Sequence, residues 1–231
     1  MEIPTIADLY ATGAHYGHKN VLTHPKFKKY IFDNKEGINI VNLELTIAEL
    51  ARATDFIKKL LAENKKILFV GTKKQARTSV SKYATESDMP YINYRWLGGT
   101  LTNFSTIAKR VNNYLSLKEK LESKSPEIGS KKEESRLRKE LEKSDKFFFG
   151  IKDMKSLPDA MYVIDPALEH VAVAEAKKIN IPVIALSNTN ADISKIDYVI
   201  AANDNAPKTI DLITSYIASV IKEFKAKTKK K

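Results

Sequence analysis

The stretch Lys66-Ile67-Leu68-Phe69-Val70-Gly71-Thr72-Lys73-Lys74-Gln75 passes from an unbroken apolar run into a basic loop. Such a run predicts a short strand that is buried on both faces, and Gly71 marks its end. A helical pattern then begins at Lys74 and continues to Ser87. A buried strand that leads directly into a helix is typical of a parallel sheet with helices packed on both faces.

The same order of strand and helix recurs along the chain. Further short apolar runs predict strands at residues 91–93, 160–164, 182–186 and 198–200. An Ala-rich helix through Lys178 follows one of them, and an amphipathic helix over about residues 207–225 follows another. Asn42 is suited to cap one more helix ahead of this core. The alternation predicts an α/β fold built on a doubly wound parallel sheet.

The alternation breaks between the second and third predicted strands. Residues 103–149 carry two helical patterns, separated by residues 123–130 with Pro126 and Gly129. A narrow apolar seam with charged residues elsewhere predicts an inserted two-helix hairpin of coiled-coil type. The predicted organisation is an N-terminal part of the α/β domain at residues 1–103, the hairpin at 104–149, and the C-terminal part with its basic tail at 150–231.

Composition excludes several classes of protein. The chain of 231 residues is 43% hydrophobic, enough to build a core, and it has no cysteine, so disulfides and thiolate zinc sites are excluded. A reducing cytoplasm is the expected setting. No apolar run approaches the roughly 20 residues that span a bilayer, so no membrane role is expected. The first eight residues contain no basic side chain, unlike a signal or transit peptide.

The net charge of +11 is unevenly distributed. Residues 65–82 and 89–118 contain no acidic side chain, and beyond Asp211 only Glu223 is acidic. A high overall lysine content would not by itself indicate the kind of partner. The concentration of positive charge in particular regions favours a nucleic acid.

The loop after Gly71 is one candidate anion site. Lys73 and Lys74 stand where a helix is expected to begin, which favours contact with a polynucleotide phosphate over a merely solvated loop. The loop matches neither glycine-rich nucleotide motif. Asp165 could be the acid of a nucleotide-binding enzyme, but an Asp before Pro166 is more simply read as a helix cap.

Histidines gather near the N-terminus. His15, His18 and His24 could contribute to a metal site only with a further ligand, and a turn whose histidines form hydrogen bonds or touch phosphate is favoured instead. We therefore expect no metal.

The densest motif is residues 93–104, which combine an arginine, aromatic rings, two glycines and hydroxyl or amide donors without a carboxylate. Arg95 is expected to point outward, because arginine pairs with phosphate while exposed rings stack on bases. Trp96 is expected to pack inward, where its large apolar surface leaves water.

Residues 95–104 resemble the signature of bacterial small-subunit ribosomal protein two. The resemblance continues, in order, from about Leu9 to Ile221. Further matching segments are residues 15–18, 69–75, 157–159, 163–166 and 181–186. Two loops depart from the family's pattern: the family usually has Asp where this chain has Asn188, and often Pro-Gly-Asn-Asp at residues 201–204.

The resemblance implies a flavodoxin-like sheet with an inserted hairpin, no enzymatic activity and no cofactor. It also implies a place in the ribosome, in contact with small-subunit ribosomal RNA and neighbouring small-subunit proteins, with ribosomal protein one among the candidate partners. The residues predicted to contact RNA or a partner are His15, His18, Lys26, Lys28, Lys29, Lys73, Lys74, Arg77, Arg95, Thr102, Asn103, Lys109 and Arg110. A nucleotide-binding enzyme and an RNA regulator acting outside the ribosome are the alternatives.

Overall fold

A computed structural model describes residues 2–123 and 130–228. The predicted break at Pro126 and Gly129 and the last three lysines of the basic tail lie outside the described residues. The strands are β1 (Tyr16–Lys19), β2 (Ile31–Lys35), β3 (Ile38–Val41), β4 (Ile67–Val70), β5 (Tyr91–Ile92), β6 (Ala160–Ile164), β7 (Val183–Ser187) and β8 (Tyr198–Ala201). The helices are α1 (Ile6–Ala11), α2 (Leu43–Ala62), α3 (Arg77–Glu86), α4 (Phe104–Glu122), α5 (Lys131–Phe148), α6 (His170–Lys178) and α7 (Pro207–Thr228).

The main sheet is parallel and has the strand order β5-β4-β6-β7-β8. Counted along the chain from β4, this order is 2-1-3-4-5, the flavodoxin-like arrangement, so the predicted fold class is confirmed. Every residue of β4, β6 and β7 is buried, as expected of strands covered on both faces. The order reverses between β4 and β6, where the loops after both strands open a crevice.

Alternate side chains of the strands enter two separate cores. Phe69 and Tyr162 point to the face covered by α2, α3 and α7, and their rings meet edge to face at 5.2 Å. Leu68 and Met161 point to the opposite face, which α6 and the beginning of α4 cover. This period of two follows from the pleat of the strands.

A second, antiparallel sheet of order β1-β3-β2 was not predicted. Residues 12–15 form a turn, but Tyr16 already begins β1, so the interpretation of residues 13–18 as a turn is wrong for its second half. The strand forms because Gly17 allows close approach to the main domain: a Cβ there would lie 2.7 Å from Cγ2 of Thr189. Asn42 caps α2 as predicted, its Oδ1 accepting from the amides of Glu44 and Leu45.

The insert consists of α4 and α5, which pack against each other. The hydroxyl of Tyr114 donates to Asp145 Oδ1 at 2.7 Å, joining the two helices. Ile107 and Val111 belong to the second core, so the root of α4 is part of the main domain. The coiled-coil character of the hairpin stays a prediction. Among the described helices, none is both long and apolar enough to cross a membrane.

Candidate nucleic-acid interface

The loops after β4 and β6 meet in the crevice where the strand order reverses. Lys73 Nζ lies 2.8 Å from Asp165 Oδ2 and 3.3 Å from Asp204 Oδ1, and only 15% of its side chain is exposed. The prediction that Lys73 faces an external phosphate is therefore corrected, because its charge is neutralised inside the protein. The two carboxylates are distant in sequence, so no local pattern could reveal them.

Asp165 has two roles in this crevice. Its Oδ1 accepts the amide of Leu168 at 3.1 Å, as expected of a cap, while its Oδ2 accepts from Lys73. The turn that it caps precedes α6, which begins at His170. No lysine or second acid stands near Asp165 in the sequence, but the fold brings both Lys73 and Asp204 to it.

Asp204 is buried beside these groups. Burial and the neighbouring charge of Asp165 raise the pKa of Asp204 to about 6, although Lys73 opposes the shift. Asn188 Nδ2 lies 3.5 Å from its Oδ1. The two loops in which the chain departs from the family's pattern thus meet at one polar cluster.

The N-terminal histidines are held within the protein. His15 is buried and lies between the rings of Tyr10 and Tyr16, with centroids at 4.3 and 4.1 Å. His18 Nε2 is 3.1 Å from Asn205 Nδ2. Burial lowers the pKa of both histidines, and the charge of Lys73 adds to the shift for His18. The predicted outward contact of His15 is therefore corrected: its ring is a packing element.

The signature loop is fixed by one carboxylate that the sequence analysis did not single out. Glu175, on α6, accepts hydrogen bonds from Trp96 Nε1 at 3.0 Å, from the amide of Gly99 at 2.8 Å and from the amide of Leu101 at 3.0 Å. The amide and the hydroxyl of Thr102 donate to it at 3.1 and 3.0 Å. Burial would raise the pKa of Glu175, but these donors outweigh it and lower the pKa.

A signal for Glu175 was present in the sequence. It stands between Val173 and Ala176 on the apolar face of a helix, where an unpaired carboxylate would be costly. The sequence alone does not identify the donors, because they lie more than seventy residues away.

Glu175 decides which parts of the loop face outward. Trp96 is half-buried and packs against the second core, as expected, and Arg95 is exposed; the contact of Arg95 with RNA or a partner stays a prediction. Thr102 lies at the surface, but its hydroxyl donates to Glu175 and is not available as a donor to RNA or a partner in this arrangement. Asn103 is exposed, and its Oδ1 accepts from the hydroxyl of Thr106.

The remaining candidates are cations on several elements. Arg77 is half-buried: its Nε donates to Thr72 O at 2.9 Å and its guanidinium lies over the ring of Tyr94. The others are exposed: Lys26, Lys28 and Lys29 on a 3-10 turn before β2, Lys74 beside α3, and Lys109 and Arg110 on α4. Lys26 Nζ lies 3.7 Å from Asp192 Oδ1.

The exposed cations of these elements are suited to bind anions. Within residues 2–123 and 130–228, no three His, Asp or Glu side chains are placed to hold a metal ion. The family model for ribosomal protein S2 matches residues 9–223 of the chain.

Proposed function

The chain belongs to the ribosomal protein S2 family, whose members are structural proteins of the small ribosomal subunit, and we propose that its exposed cations bind ribosomal RNA there. The observation that carries this proposal is that three cations on α4 and the signature loop lack an ion pair within the described residues. No carboxylate in the described part of the chain lies within ion-pair distance of Arg95, Lys109 or Arg110. Unpaired exposed cations are available for phosphate oxygens, which supply most of the affinity for RNA backbones.

The N-terminal sheet supports a second kind of contact. Val21 and Phe32 are 96% and 73% exposed, and Tyr16 and Leu22 are also exposed. Several large apolar side chains exposed on this small sheet and the turn beside it favour contact with protein partners. We propose that this surface meets neighbouring small-subunit proteins, with ribosomal protein one as a candidate.

We also propose that the chain acts without catalysis and without a cofactor, in the cytoplasm. Support comes from the crevice of the sheet, where folds of this kind bind nucleotides. Here Lys73, Asp165 and Asp204 fill it with their own ion pairs. Family membership does not support either the nucleotide-binding enzyme or the regulator outside the ribosome.

Reconstitution of small subunits tests the RNA contact. A variant with Arg95, Lys109 and Arg110 replaced by Gln should enter subunits poorly, and the slope of log affinity for ribosomal RNA against log salt should fall by about 2–3. The matched control replaces Lys132, Arg136 and Lys139 of α5 by Gln, which removes the same charge from a helix of mixed sign. Equal incorporation and equal salt slopes for both variants would refute the proposal.

A further inference from the structure

A cleft of about 320 Å³ lies where β5 ends and α5 returns to the main domain. Arg77 and Tyr94 line one side, and Asp145, Lys146 and Phe147 line the other. Its volume is at the lower end of the range of small-ligand pockets, roughly 300–1,000 Å³. The cleft therefore has room for one small planar group rather than for a folded segment of a partner.

Tyr94 is the central group of the cleft. The residue is 38% exposed, and its ring stands edge to face with that of Phe147 at a centroid distance of 5.2 Å. The Arg77 guanidinium lies 5.2 Å from the ring centroid and Lys146 Nζ lies 5.9 Å from it. An exposed ring bordered by two cations is the combination that binds single-stranded nucleic acid by stacking and charge.

The two cations are available to an incoming anion. Arg77 is fixed by its bonds to backbone oxygens, from Nε to Thr72 at 2.9 Å and from Nη2 to Tyr94 at 3.5 Å. Neither Arg77 nor Lys146 forms an ion pair with any carboxylate of the residues that the structure describes. Arg95, exposed at the next position of the loop, adds a third positive charge.

Both walls of the cleft are held by close contacts with the main domain. Gly150 passes so close to β5 that a Cβ would lie 2.2 Å from the carbonyl oxygen of Tyr91, which fixes the end of the hairpin against the sheet. On the other side, Glu175 holds the loop that follows Arg95 through Trp96 and Gly99. Rigid walls reduce the entropy that a ligand loses on binding.

From this geometry we propose that the cleft binds one unstacked nucleotide of RNA, with its base on the ring of Tyr94 and its phosphate on Arg77 and Lys146. The proposal rests on the proposed function, which places ribosomal RNA at this surface. Asp145 also lines the cleft, but its Oδ1 already accepts from the hydroxyl of Tyr114, and the two positive charges of Arg77 and Lys146 outweigh its single negative charge. A carboxylate-bearing peptide could pair with the cations, but it would leave the ring of Tyr94 without a stacking partner.

Binding of a short single-stranded RNA to the full chain tests the site. The probe is a fluorescein-labelled hexanucleotide of mixed sequence, and the fluorescence of Trp96, the single tryptophan, gives a label-free second signal. Tyr94→Leu should weaken binding about 5- to 150-fold, the effect of losing one stacked base, whereas Tyr94→Phe should stay within about twofold. Lys146→Gln should weaken binding and reduce the salt slope by about 0.7, while Lys139→Gln on the same helix should change neither.

A second measurement identifies the occupant in the assembled subunit. A photoreactive phenylalanine in place of Tyr94 should cross-link to RNA, and a cross-link to a ribosomal protein instead would overturn the proposal. Equal affinity of the parent chain and Tyr94→Leu for the hexanucleotide would also overturn it, and normal entry of both into subunits would then leave the proposed function standing. Failure of the parent chain itself to enter subunits would overturn the proposed function. Thermal melts of each variant separate loss of binding from loss of fold.

Discussion

Replacement of Glu175 by Ala is expected to destabilise the protein and to release the signature loop. The carboxylate accepts five hydrogen bonds from Trp96, Gly99, Leu101 and Thr102, and Ala leaves all five donors without their acceptor. The donors of Thr102 stand at the surface and can turn to water. The amide of Leu101 is buried, and the donors of Trp96 and Gly99 are half-buried, so the three together count as about two buried donors.

The magnitude follows from the number of sheltered donors. A buried donor that loses its partner costs about 1–3 kcal/mol, so two of them cost about 2–6 kcal/mol. The middle of this range, about 4 kcal/mol, corresponds to a fall in Tm of about 8–16 °C for a protein of this size. Glu175→Gln retains one acceptor oxygen and should lose about half as much free energy of unfolding.

Urea denaturation and thermal melts of the purified chain measure this effect. Glu142→Ala, which removes an exposed carboxylate from α5, is the control and should stay within about 0.5 kcal/mol of the parent. Because the hydrogen bonds lower the pKa of Glu175, its stabilisation is present above the pKa of an ordinary glutamate and is lost as the pH falls through the folded-state value. The reasoning is refuted if Glu175→Ala melts at the same temperature as the parent. It is also refuted if the stability of Glu175→Gln falls at low pH as steeply as that of the parent.

Three further outcomes are expected. Trp96→Ala should lose about 3 kcal/mol of stability, since the ring is only half-buried. Arg95→Ala should melt like the parent but enter subunits less well. If Arg95→Ala unfolds at a lower temperature while Trp96→Ala melts like the parent, their roles are the reverse of those expected. In the parent, the folded state holds the proton of Asp204 up to a pKa of about 6, so the stability of the parent falls as the pH rises from about 4 to 6. Asp204→Asn should flatten this pH dependence. Replacing residues 115–142 by a Gly-Ser linker keeps both Tyr114 and Asp145 and should leave a core that melts within a few degrees of the parent, whereas an unfolded product would show that the whole hairpin is integral.

The core strands could be predicted because each one corresponds to a continuous apolar run in the sequence. The runs that became β4 and β6 are apolar at every position, and β7 is apolar except for Ser187 at its end, as expected of strands buried on both faces. The helices between them also have local signals, such as the cap at Asn42. Strand order, in contrast, came from the resemblance and not from periodicity.

The N-terminal sheet escaped prediction because its determinants are spread over distant residues. β2 is exposed along most of its length, so its residues show no apolar alternation. β1 depends on Gly17 fitting against Thr189, a contact across more than 170 residues. The one local signal was the pair Glu36 and Gly37, which takes positive φ angles of 52° and 79° and closes the hairpin between β2 and β3.

The outcome for Lys73 shows that a basic stretch of sequence can predict that a region binds an anion but cannot identify the residue that makes the contact. Its stretch of sequence lacks acids, and the fold nevertheless supplies two carboxylates from the loops after β6 and β8. Removing Lys73 would leave two neighbouring carboxylates without a counter-charge, whereas removing one carboxylate would leave Lys73 paired with the other. The same crevice that serves as a ligand site in other doubly wound folds is here an internal junction, which joins the loops after β4, β6 and β8. The contact with RNA that we propose therefore rests on cations outside the crevice, namely Arg95, Lys109 and Arg110, which have no ion pair within the part of the chain that the structure describes.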